Sequence, residues 1–137
     1  MSSLDDIRRI RQERHEAERK LAEEQEAIDL EAIDALEVEH GDSNVAVLKV
    51  GHTPGVSVLA AVRCPTSAET KMYHSLLKAK KPDADAAARQ LARLCQIYPP
   101  KGDERDRQHE ARPALAMLLG VAASNLSAAV RLEEGND

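Results

Sequence analysis

Five histidines and two cysteines carry the widest range of side-chain chemistry in this chain. The histidines, His15, His40, His52, His74 and His109, form neither His-x-His nor His-Glu-x-x-His, the spacings that set two imidazoles on one metal. Cys64 stands beside Pro65 and Cys95 lies in an apolar helical stretch, too far apart in sequence to form a paired-thiolate motif. No Gly-x-Ser-x-Gly elbow, phosphate-cradling glycine loop or dinucleotide fingerprint occurs; the glycines fall at turns or helix ends, Gly120 excepted. His109-Glu110 could form an acid–base pair, but a solvated loop or helix face is by far the better explanation of it. Lys78, Lys80 and Lys81 complement the negative end of a helix and need no ligand. The residues therefore assign no catalytic, cofactor-binding or metal-binding set, and no cofactor and no enzymatic activity are expected.

The elements around these residues must be built without large aromatics. The chain has 137 residues, 42% of them apolar, with no Phe, no Trp and two tyrosines, Tyr73 and Tyr98. A core of Leu, Ile, Val, Met and Ala buries little area per residue, and at about 25 cal/mol per Å² it is thin unless a partner adds surface. The net charge of −5 disfavours nucleic acid, which needs a concentrated basic face. No apolar run reaches the roughly 18 residues of a membrane span, and Met1 to Asp6 lacks the basic and apolar regions of a secretory signal. The cysteines are expected to be buried free thiols in a reducing cytoplasm.

Residues 4–38 contain no Gly and no Pro. Ser3 can cap a helix there, Asp5 and Asp6 suit its positive first turn, and Gly41 is a natural stop. Such a helix runs roughly 50 Å, more than a small domain needs. Two β-type runs follow, Val45–Val50 and Val56–Arg63, joined through Gly51-His52-Thr53-Pro54-Gly55 as a hairpin. Val45, Val47 and Lys49 share one face and Ala46, Leu48 and Val50 the other; neither is strongly polar, so both are expected to be partly covered. Thr66-Ser67-Ala68-Glu69 reads as a capping box opening a helix to about Lys80, with Met72, Tyr73, Leu76 and Leu77 on one side. Asp83 or Asp85 opens another, with the stripe Ala84, Ala87, Leu91, Leu94, Cys95 and Tyr98. Pro113 starts a last helix carrying Leu115, Leu118, Leu119, Ala122, Leu126 and Val130. The fold class is α+β, mostly α: a long N-terminal helix, a two-stranded hairpin, then three to four short packed helices. Residues 1–41 form an extension, 42–132 a small domain and 133–137 a frayed tail.

The long helix carries its charge in two blocks. Its arginines and lysine, Arg8, Arg9, Arg11, Arg14, Arg19 and Lys20, all precede Glu23, and eight acids with no base fill Glu23–Glu39. That order opposes the helix dipole, so a solitary helix gains only local pairs such as Glu16–Lys20. An antiparallel second copy, or a partner with a basic strip, does gain. Ile7, Ile10, Ala17, Leu21, Ile28 and Ala35 fall on an a/d-like seam interrupted by Arg14, Glu24 and Glu31. The competing reading is a mostly solvated helix docked only through its Ile28–Val38 end.

From Val56 to Val130 the chain resembles the tail assembly chaperones of long-tailed bacteriophages and prophages. The pieces are a strand ending in Arg63-Cys64-Pro65, an early helix with Glu69 and Tyr73, an Ala-rich helix ending in Leu94-Cys95-Gln96-Ile97-Tyr98-Pro99, and Pro113-Ala114-Leu115 opening an apolar helix. The resemblance implies a protein of the bacterial host cytoplasm, or one associated with the virion. Such a protein keeps a long helical tape-measure client soluble until tail-tube subunits replace it. The candidate partner-binding residues are Ile7, Ile10, Leu21, Ile28, Arg63, Tyr73 and Tyr98; for the last three the alternative is a core-edge role with a polar tip. A structural homo-oligomer, virion or particle component, assembled through residues 4–38 is the other reading.

Overall fold

A computed structural model of the chain describes residues 3–51 and 53–135, with side chains up to residue 128. The molecule is α+β and mostly α. Its elements are α1 (Ser3–His40), a single 3-10 turn (Asp42–Asn44), β1 (Val45–Lys49), β2 (Leu59–Arg63), α2 (Ser67–Leu77), α3 (Ala84–Cys95), β3 (Gln96–Tyr98), α4 (Asp103–Ala111) and α5 (Leu115–Gly135). The expected hairpin is present but shorter, β1 ending before Val50 and β2 starting three residues after Val56, with β1 antiparallel to β2 in the register Val45↔Arg63 to Lys49↔Leu59. A third strand joins it: β3 pairs antiparallel with β2, giving the order β1-β2-β3. The sequence places Gln96–Tyr98 on the end of a helix instead. Three residues are too few to show a period of two, and the apolar spacing of α3 continues through them.

The sheet is covered on both faces, as the apolarity of both faces of β1 predicts. Ala60 and Val62 of β2 pack with Tyr73, Ala87, Ala88, Leu91, Cys95, Leu115, Leu119 and Ala123 from α2, α3 and α5. Leu59 and Ala61 point the other way, into a smaller cluster with Val45, Val58, Tyr98 and Ile33 of α1, flanked by Ala22, Ala32 and Leu36. The second half of α1 is thus a layer of the domain itself, and dividing the chain at residue 41 separates that layer from the sheet it covers.

Local signals hold at three helix ends and shift at three others. Thr66 and Glu69 form the full capping box, and Asp83 caps α3 by accepting from the Ala86 amide. α2 ends at Leu77, three residues short of the expected Lys80. Gly41 stops α1 with φ 89°. Ser3 is the first residue within α1 rather than its cap, and α5 starts at Leu115, two residues after Pro113. The expected role of Val130 and the turn residue His52 lie outside what is described, as do Asn136 and Asp137 of the tail; Glu133–Gly135 continue α5. Gly120 has a packing reason: a Cβ there would sit 1.9 Å from the carbonyl oxygen of Ala88, so α3 and α5 touch backbone to backbone.

Candidate partner-binding surface

α1 has 38 residues, about 57 Å at 1.5 Å per residue, and carries two different faces. The docked face is Ala22, Asp29, Ile33 and Leu36, at spacings of 7, 4 and 3 that keep one side of the helix toward the sheet. At its centre is a carboxylate. Asp29 is 0% exposed, and its two oxygens accept four hydrogen bonds: from the Tyr98 hydroxyl at 2.6 Å, the Val58 amide at 2.8 Å, the Gln25 side chain at 3.0 Å and the Leu59 amide at 3.2 Å. Burying a carboxylate is costly unless its lone pairs are filled, and here they are.

The segment held by Asp29 is the start of β2 and the residue before it, where pairing with β3 has not yet begun. Gln108 of α4 serves the same segment from the other side, donating to the carbonyls of Ser57 at 2.9 Å and Leu59 at 3.1 Å. Ser57 donates to Glu104, and its hydroxyl lies 3.4 Å from that of Tyr98. On the β1 side the Val58 carbonyl accepts from the Val50 amide at 2.6 Å and Leu59 pairs with Lys49, so side chains from α1 and α4 serve backbone groups that β3, paired only with Ala61 and Val62, does not reach. Lys49 adds an exposed ion pair to Glu26, 3.3 Å apart, at the edge of the docked face. Burial and the Asp29 hydrogen bond push the Tyr98 phenol up to about 12.

The other face of α1 is uncovered. Residues 3–21 are exposed, Asp6 alone being partly covered where it pairs with Arg9 at 3.7 Å. This is about 28 Å of helix standing clear of the sheet. Leu4, Ile7, Ile10, Leu21 and Ile28 each keep about half of their surface or more in solvent, Ile28 reaching 61%. Ala17 and Ala35 of the expected seam are exposed as well. The seam lies about a quarter-turn round the helix from the docked face, since each residue advances about 100°. Docking runs from Ala22 to Leu36, so the expected Ile28–Val38 end is docked and the contact begins six residues earlier, although Ile28 and Val38 themselves stay exposed. The Glu16–Lys20 pair is not formed.

Tyr73 and Tyr98 are buried and Arg63 is partly buried, which places all three in the core-edge role given as the alternative rather than on an open partner-contact surface. Arg63 forms a two-pronged pair with Glu69 at 2.8 and 3.0 Å and donates to the Leu94 carbonyl at 2.8 Å. That guanidinium holds the Glu69 carboxyl down at about 2. Tyr73 sits in the main core and Tyr98 reaches Asp29, so neither aromatic face is on offer. Of the two thiols, Cys95 is buried and Cys64 partly so, both free. His109 does not pair with Glu110; its Nε2 lies 2.7 Å from the Gln96 side-chain oxygen, and Glu110 is exposed. Among the described residues no group of three or more His, Cys, Asp and Glu is arranged to hold a metal. Nor is any described helix long and apolar enough to cross a membrane.

No family model, curated protein or solved structure matches this chain.

Sequence reasoning missed Asp29, Ser57 and Gln108, the polar residues that fix α1 to the sheet. A signal existed for the first. Ala22, Asp29, Ile33 and Leu36 keep helical spacing once an acid is admitted to the stripe.

Proposed function

We propose that this chain is an assembly chaperone of the phage-tail type, a protein that binds and solubilises a long helical tape-measure-type client through the uncovered face of α1. The observation that carries this reading is the division of α1 into a docked face and a free one. A helix already fixed by Asp29 and Ile33 still presents Ile7, Ile10, Leu21 and Ile28 to solvent along one stripe. A fixed helix with a free apolar stripe loses little conformational freedom on binding another helix. The stripe has no aromatic anchor and is interrupted by Arg14, Glu24 and Glu31, which suits a contact that must later be exchanged for tube subunits. The resemblance over residues 56–130 supplies the class of client and the bacterial cytoplasm as the place of work.

The test is co-expression with a tape-measure protein from a long-tailed phage or prophage tail cluster, scoring the client's solubility and co-purification. The expected result is a soluble complex that is lost when Ile7, Ile10, Leu21 and Ile28 are replaced together by Ser while the protein itself stays folded. A client that remains insoluble, or a complex indifferent to the four changes, overturns the reading.

The two charge blocks of α1 favour a second reading, a homo-oligomer in which Arg8–Lys20 of one copy lies antiparallel on Glu23–Glu39 of another. Sedimentation at two salt concentrations separates the two. Self-association through these blocks weakens at high salt, when the screening length falls from about 10 Å at 0.1 M to about 3 Å at 1 M.

A further inference from the structure

Lined by no residue of α1, a hollow of about 510 Å³ lies between α3, the β3–α4 connection, α4 and the start of α5. Its lining holds Arg89 and Arg93 from α3, Lys101 from the connection, and Arg105 and His109 from α4, with Asp106 as the single carboxylate. In a chain of net charge −5 this is a local reversal of sign.

The arrangement is not explained by internal pairing. Arg105 is fixed at the floor, donating through Nε to the Pro99 carbonyl at 2.7 Å and through Nη2 to the Gln96 carbonyl at 3.0 Å. Those acceptors are neutral, so they orient the guanidinium without cancelling its charge. Arg89 shares one edge with Asp85 at 3.0 Å and gives Nη1 to the Pro113 carbonyl at 2.9 Å. Arg93 and Lys101 make no hydrogen bond or ion pair among the described residues. Gln96 fixes His109 in turn. Its amide nitrogen donates to the Tyr98 carbonyl at 3.1 Å, so its oxygen must face His109 Nε2, which then carries the hydrogen. Burial and the nearby Arg105 and Arg89 lower the His109 pKa, with Asp106 opposing them.

We propose that this hollow binds a small polyphosphate-type anion, with Arg105 and His109 as the preset floor and Arg93 and Lys101 as the closing cations. Guanidinium forks match phosphate oxygens in geometry, and two unengaged side chains can fold over an anion without breaking any native contact. The volume exceeds the need of a single phosphate group, and the cations stand on three elements around it, which favours a ligand with at least two phosphate groups. The site is separate from α1 and does not depend on the chaperone reading.

The experiment is a titration of the full chain with pyrophosphate at low salt, followed through the imidazole resonances of His109 and His15. Binding in the hollow moves His109 and raises its pKa, because the anion counters Arg89, Arg93, Lys101 and Arg105 while Asp106 is unchanged. Arg93→Gln together with Lys101→Gln leaves the fold intact, since neither side chain holds another, and weakens binding roughly tenfold or more. Pyrophosphate that moves His15 and leaves His109 still binds the basic block of α1 instead, and overturns the proposal. So does an affinity unchanged in the double variant, or a response of His109 to an acidic peptide of residues 23–39 with none to pyrophosphate.

Discussion

The carboxylate of Asp29 accepts a 2.6 Å hydrogen bond from the hydroxyl of Tyr98, joining residues 69 positions apart. The same carboxylate takes the amides of Val58 and Leu59, so one side chain on α1 ties the helix to β3 and to the start of β2. Asp29→Ala leaves three buried donors without an acceptor. At about 1–3 kcal/mol for each orphaned donor, the loss of stability is expected to reach about 3 kcal/mol or more. Tyr98→Phe removes one donor and leaves the carboxylate three, so it costs about 1 kcal/mol. Urea unfolding of both single variants and the double variant measures this, and the double variant should lose less than the sum of the singles. A loss at Asp29 no larger than that of the exposed Glu31→Ala excludes the clamp.

Asp29 also marks where the sequence stops being legible. α1, the hairpin, the capping box at Thr66–Glu69 and the helices after it follow from periodicity, caps and turn residues, because those signals are local. Which face of α1 docks is not local. Apolar spacing selects Ile7, Ile10, Leu21 and Ile28, yet the sheet receives two alanines, one isoleucine, one leucine and a carboxylate. A buried acid looks like its seven acidic neighbours in Glu23–Glu39 until its four donors, brought from Gln25, residues 58 and 59, and Tyr98, are in place. The basic hollow was equally hidden: Arg89, Arg93, Lys101 and Arg105 are spread among acids in sequence and converge only when α4 folds back on α3.

Gly120→Ala tests the contact between α3 and α5. In a solvated helix the change from Gly to Ala gains about 1 kcal/mol. Here the new Cβ meets the Ala88 carbonyl oxygen at 1.9 Å and its carbon at 2.5 Å, backbone atoms that cannot swing aside. The helices must separate, loosening Leu91, Leu119 and Ala123 together. Destabilisation of about 1–3 kcal/mol or more is expected in thermal or urea unfolding, opposite in sign to the intrinsic preference.

The pair Arg63–Glu69 sets part of the acid stability. Glu69 has its folded pKa depressed to about 2 from an ordinary 4.5, chiefly by the Arg63 hydrogen bonds. A depressed folded pKa contributes stability that is present above the unfolded value and is lost as pH falls through the folded one. Glu69→Gln should therefore destabilise at pH 7 by on the order of 2 kcal/mol, with solvent on one side of the pair limiting the effect. The gap between wild type and variant should close between about pH 4.5 and pH 2. A gap constant across that window excludes the ion pair as its source.

The thiols report on the interior. Burial, reinforced by the neighbouring Glu69, pushes the Cys95 thiol up to about 12, and burial also raises Cys64 against the pull of Arg63. Since the thiolate is the reactive form, native protein at pH 8 should react slowly with a disulfide reagent at Cys64. Cys95 should react only at the rate of unfolding. Rapid stoichiometric labelling of both thiols in native buffer contradicts this packing.

The free stripe of α1 is separated from its docked face by what each costs to change. Ile33 is 1% exposed between Leu36, Ala22 and the sheet, and Ile33→Ala should cost about 2–5 kcal/mol through lost burial and the cavity left behind. Ile7, Ile10, Leu21 and Ile28 touch solvent on most of their outer surface, so replacing each by Ser should change stability by no more than about 0.5 kcal/mol. Circular dichroism in urea, run on each variant at a concentration low enough to keep the protein dispersed, gives both numbers. Small costs along the stripe show that the isolated fold does not need these side chains. Costs above about 1.5 kcal/mol at Ile7 or Ile10 mean that the first half of α1 folds back on the domain or on another copy, and the stripe is then not open to a client.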